Sequence, residues 1–118
     1  MHEDWPAHAK DMLPALRELR GGAAEVMKAF GGLARAALEA NALDTKTKEL
    51  IALAIAVAIR CDSCVAFHAE AAVKQGASRD EVMEAMGMAI YMGAGPSVMY
   101  AAQAVEAFDQ FRAKAAAE

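Results

Sequence analysis

Apolar residues recur at helical spacing along almost the whole chain. Met12, Leu13, Leu16 and Leu19 share one side of a predicted helix over residues 5–20, with Pro14 near a start or kink and the Gly21-Gly22 pair ending it. A second helix over 23–40 is expected to turn Val26, Met27, Phe30, Leu33, Ala34 and Leu38 inward, its Gly31-Gly32 pair allowing a bend or a close helix contact. After a turn at Asn41-Ala42-Leu43, Asp44 is placed to cap a third helix over 45–60. That helix begins polar (TKTKE) and continues as LIALAIAVAI, apolar on every side. A helix without a polar face is buried all round, and a chain of 118 residues achieves this most easily by packing against a second copy, so a homo-oligomer is expected.

The fourth helix is predicted to start at Cys61 or Asp62 and to reach Gln75, where Gly76 provides a left-handed cap. Ser78-Arg79-Asp80-Glu81 is a capping box that opens a fifth helix through Val82, Met83, Met86, Ala89, Ile90 and Met92. The break Gly93-Ala94-Gly95-Pro96 separates it from a last helix reaching about residue 113, whose expected buried stripe is Val98, Met99, Ala102, Val105, Phe108 and Phe111. With three prolines and no alternating Val/Thr/Tyr-rich stretch, the fold class is all-α: a bundle of about six helices in a single domain over 1–118.

Composition narrows the function classes. The chain is 57% hydrophobic but only 6% aromatic, so aliphatic residues and methionine supply the core. A net charge of -4 with acids and bases interspersed gives no nucleic-acid footprint. The longest apolar run, 50–59, is about half of a bilayer span, so no membrane partner is expected. MHEDWPAHAKD carries neither the basic start nor the apolar run of a secretory signal, so a cytoplasmic location is expected. In that compartment two cysteines spaced CxxC read as redox or metal groups rather than a structural staple.

The candidate chemistry lies in RCDSCVAFH, residues 60–68. Cys61, Cys64 and His68 stand at offsets of zero, three and seven, which fall on one helical face. Two thiols at that spacing can close a disulfide within one turn. Both lie in the first turn of their helix, where unpaired N–H groups and the positive end of the dipole favour thiolate. His68 is one turn from Cys64 and two from Cys61, which assigns Cys64 as the attacking thiolate and Cys61 as the resolving thiol. Glu49 is the candidate third member. In an antiparallel hairpin turning near Arg60 it lies about 17 Å from the turn and His68 about 10 Å, a difference that a long side chain plus one water can span.

Glu49, then eleven residues, Cys61, two residues, Cys64, three residues and His68 resembles the active-site pattern of the alkylhydroperoxidase AhpD and the wider carboxymuconolactone decarboxylase family. The flanking LDTKTKELIALAIAVA and GAGPSVMYAAQAVEAFDQF are similar to its small members, and the resemblance covers roughly residues 20–112. It implies an all-helical fold, trimers or hexamers, and a peroxidase or thiol-disulfide oxidoreductase without a cofactor or metal. A hydroperoxide would be the substrate and a dithiol or lipoyl-type partner the reductant. By the same resemblance Cys64 is peroxidatic, Cys61 resolving, and His68 with Glu49 the proton relay. One departure stands out: AhpD has a histidine just before the second cysteine, where this chain has Ser63.

Several other readings remain open on the residues alone. The cysteines could be buried and inert, or a redox sensor in a non-catalytic oligomer. CxxC plus His68 supplies three zinc ligands, the fourth being Glu49, Asp62, an N-terminal histidine or water. His68 and Glu49 could serve lactone or decarboxylase chemistry without thiols. His2 and His8 read as surface residues, the methionines at 83, 86, 88, 92 and 99 as core filler, and Tyr91 and Tyr100 as core or interface packing.

Overall fold

Helix starts in this chain are fixed by short side chains that accept the first free backbone N–H groups. In the computed structural model, which describes residues 4–118, Asp4 accepts from Ala7 at 2.9 Å to open α1 (Trp5–Gly22). Asp44 accepts from Thr47 at 2.7 Å to open α3 (Thr45–Ala58). Cys61 opens α4 (Asp62–Lys74). Ser78 and Glu81 form the predicted reciprocal box, at 3.1 and 2.8 Å, at the start of α5 (Arg79–Ala117). Only α2 (Ala24–Leu38) begins without a side-chain cap. It follows α1 after a one-residue break at Ala23, and Gly21 and Gly22 belong to α1.

All regular structure among the described residues is helical, in agreement with the all-α expectation. The expected fifth and sixth helices abut with no loop between them and share the label α5; they are separated at the expected break by Ala94, whose φ 55° and ψ -142° are non-helical. Gly76 takes the left-handed cap conformation, φ 77°, after α4.

Helices α3, α4 and α5 pack on one another to form the centre, around Leu53, Val57, Val65, Val82 and Phe108. Alanines 56, 66, 69, 72, 101, 104 and 107 are buried among them and let the helix backbones approach closely. Helix α1 lies against α4 and α5. It docks through Trp5 and Ala9 rather than through the expected leucine stripe, of which Leu13 and Leu19 are exposed. Trp5 is fully buried; its indole Nε1 donates to Glu106 Oε1 at 3.0 Å and its backbone N–H to Gln110 Oε1 at 2.7 Å. Lys46 Nζ ties the start of α3 to Glu81 Oε2 of α5 at 2.8 Å, and this pairing holds the Glu81 carboxyl below its ordinary range.

Two expectations about burial need correction. Helix α2 buries no residue: Val26, Phe30 and Leu33 are 70%, 60% and 62% exposed, because within the chain α2 touches only α1 and α3. The apolar half of α3 buries Leu53, Ala56 and Val57 and leaves Ile51, Ile55 and Ile59 exposed on the single chain, as a helix expected to pack against a second copy would. Of the methionines expected in the core Met86 is buried, whereas Met83, Met88, Met92 and Met99 are exposed, as is Val98. Among the described residues no helix is long and apolar enough to cross a membrane.

Candidate active site

The turn between α3 and α4 is a Schellman motif. Arg60 N–H donates to Val57 O at 3.2 Å and Cys61 N–H to Ala56 O at 3.0 Å, with Arg60 in the left-handed region at φ 58°. A non-glycine residue pays a steric cost there, commonly about 1–2 kcal/mol. The motif reverses the chain within three residues, so α4 packs back along α3.

Cys61 ends this motif and also caps α4. The structure joins Cys61 and Cys64 in a disulfide with their Cα atoms 5.2 Å apart. Cys61 Sγ accepts the backbone N–H of Cys64 at 3.2 Å. The helix start therefore supports Cys61 most directly, whereas the imidazole one turn on stands nearest in sequence to Cys64. Both cysteines are half-buried, and Cys64 packs against the core.

Back along the hairpin, Glu49 meets His68 directly. Glu49 Oε1 lies 2.8 Å from His68 Nδ1, with no water needed between them. The Glu49 side chain is only 8% exposed and that of His68 34%. A carboxylate can only accept, so Nδ1–H donates to Glu49 and Nε2 is the nitrogen left to exchange a proton. The structure thus places the four predicted residues on one helical hairpin, as one sulfur pair and one acid–imidazole pair.

Two further side chains reach the cysteine turn from elsewhere. His8 of α1 is half-buried rather than a plain surface residue, and its Nε2 lies 3.2 Å from Ser63 Oγ. Its ring stands edge-on to Trp5, centroids 5.8 Å apart at 64°. Tyr100 of α5 faces Asp62, and hydrogen bonding to Asp62, burial and the Asp62 charge push its phenol above the ordinary value, against the opposing charge of Arg60. No spacing near residues 61–68 points to either residue; the nearest signal is the cap at Asp4, which puts Trp5 and His8 on one face of α1. Tyr91 is exposed, and His2 lies outside the described residues. Among the described residues no group of three or more His, Cys, Asp or Glu is arranged to hold a metal ion.

The chain is thus all-helical, with a CxxC disulfide at a helix start and a glutamate–histidine pair one turn on. The chain belongs to the carboxymuconolactone decarboxylase family, whose sequence model matches residues 24–107. An uncharacterised protein of Haemophilus influenzae is 43% identical over 108 residues, 92% of this chain and 96% of that protein. Another, from Cupriavidus necator, is 42% identical over 87 residues, 74% of this chain and 77% of its own length. Among solved structures, a carboxymuconolactone decarboxylase family protein from Legionella pneumophila in its apo form is 49% identical at a TM-score of 0.89, covering 92% of this chain and 96% of that one. A family member from Thermotoga maritima, with a suggested involvement in antioxidative response, is 32% identical at a TM-score of 0.71, covering 78% of this chain and 95% of its own.

Proposed function

We propose that the protein is a thiol-dependent peroxidase or disulfide oxidoreductase working through Cys61, Cys64, His68 and Glu49. The observation that carries this reading is the Glu49–His68 contact at 2.8 Å, one helical turn beyond the bonded Cys61–Cys64 pair. A buried carboxylate that orients an imidazole beside a redox-capable sulfur is what a proton relay requires. The antioxidative involvement suggested for the Thermotoga maritima relative points the same way.

In the reduced protein His68 takes the proton of the Cys64 thiol. The Cys64 thiolate attacks the distal oxygen of a hydroperoxide; the S–O bond forms, the O–O bond breaks, and the departing alkoxide takes the proton back from His68. Cys64 is then a sulfenic acid. The Cys61 sulfur displaces its hydroxyl, forming the disulfide and releasing water. Two electrons from a dithiol, by analogy a carrier protein or lipoyl-type group, restore the thiols. A cytoplasmic homo-oligomer, trimer or hexamer, belongs to the same reading. Its support is the apolar surface left on α2 and on the outer side of α3.

Mixing the reduced protein with one equivalent of an organic hydroperoxide, and following intact mass and thiol count, tests the proposal. Rapid loss of two hydrogens and both thiols is expected. Cys64→Ser should abolish peroxide consumption, and Cys61→Ser should gain one oxygen as a trapped sulfenic acid. If Cys61→Ser alone blocks the first oxidation, the two cysteines exchange roles, consistent with the N–H bond that Cys61 Sγ receives. No change in mass over hours would retire the peroxidase reading.

A further inference from the structure

Ser63, enclosed by the two cysteines, is held from another helix: its Oγ meets His8 Nε2 of α1 at 3.2 Å, and its neighbour Asp62 faces Tyr100 of α5. His8 is itself seated by Trp5, which is fully buried and bound through its indole and backbone nitrogens to Glu106 and Gln110 of α5. Both lines of contact run to α5, part of the molecule's rigid centre, rather than to a loop.

We propose that His8 is a positioning residue that clamps the Cys61–Cys64 turn through Ser63, and thereby sets the reduction potential of the pair. When the disulfide opens, two thiols in an unrestrained first turn drift apart, because helix starts fray readily. Held at Ser63, they stay near closing distance, and their high effective concentration favours the disulfide. The clamped couple is thus the more reducing one. The inference rests on reading the cysteines as a redox couple but not on which oxidant they meet.

Equilibration of the full-length protein with reduced and oxidised glutathione tests it. One disulfide and two glutathione thiols exchange for two protein thiols and one glutathione disulfide, so the thiol count gives the equilibrium constant. His8→Ala and Ser63→Ala should each make the disulfide easier to reduce, by about fivefold, the size of one hydrogen bond, or about 20 mV. His8→Gln, whose amide can still reach Ser63, should restore the wild-type value. The double variant His8→Ala/Ser63→Ala should match either single variant rather than add, since both remove the same bond. Ser63→Ala leaves Trp5 and its bonds to Glu106 and Gln110 in place, which separates the clamp from general loosening of the fold. Values within about twofold of wild type for all variants, or fully additive shifts, would overturn the proposal. Shifted potentials in a protein that ignores hydroperoxides would sink the peroxidase reading and leave the clamp standing; unshifted potentials in an active peroxidase would do the reverse.

Discussion

Glu49 is one of two buried polar or charged side chains among the described residues, and a carboxylate out of water is costly unless it is paired. Its pairing with His68 explains how the fold tolerates it, and the proposed relay explains why it is there. Glu49→Gln keeps size and a hydrogen bond but loses the charge that holds Nδ1 protonated. Single-turnover peroxide consumption should fall by about 10²-fold, the lower range of general acid–base contributions, while the helical content stays unchanged. The mutual placement of these four residues was largely legible at this scale. Cys61, Cys64 and His68 are fixed relative to one another by helix geometry alone. Glu49 needed a tertiary guess, and the rod-like estimate left room for a water that the structure does not require. The Schellman motif ends α3 at Ala58 rather than at Arg60, which removes about 3 Å of the mismatch. His8 and Tyr100 were illegible because they are 55 and 38 residues from their partners Ser63 and Asp62, and only packing brings them there.

Among the elements, α5 tests how backbone and side chain share a bend. Ala94 sits at φ 55°, which glycine adopts freely and alanine does not. Four residues after Gly93, the fully buried Ser97 presses its hydroxyl where a Gly93 side chain would be. A Cβ at Gly93 would overlap Ser97 Oγ and meet Ser97 Cβ at 2.9 Å. Gly93→Ala should therefore lower stability by about 1–3 kcal/mol in urea unfolding, whereas Ala94→Gly should leave it equal or higher. Gly93-Ala94-Gly95-Pro96 announced the bend in the sequence, and the caps at Asp44 and Ser78 and the glycine at 76 announced three helix ends. The start of α2 carried no such signal, because Ala23 offers no capping side chain.

For the whole molecule the period of an apolar stripe states that a face is to be covered, not what covers it. That is why the stripe of α2, expected inward, exposes Phe30 and Leu33 in the single chain, while the side of α3 expected against a second copy exposes Ile55 and Ile59. If the proposed oligomer covers these faces, sedimentation should give a multiple of the 12.4 kDa chain mass, and Phe30→Glu or Ile55→Glu should reduce it. A monomeric wild type would remove oligomerisation from the reading. A different consequence follows from Trp5. It is the chain's sole tryptophan, and it stands edge-on to the histidine that touches the cysteine turn. The protein thus carries a native optical label one contact from its sulfur pair, and the emission of a single indole can follow that corner without an attached dye.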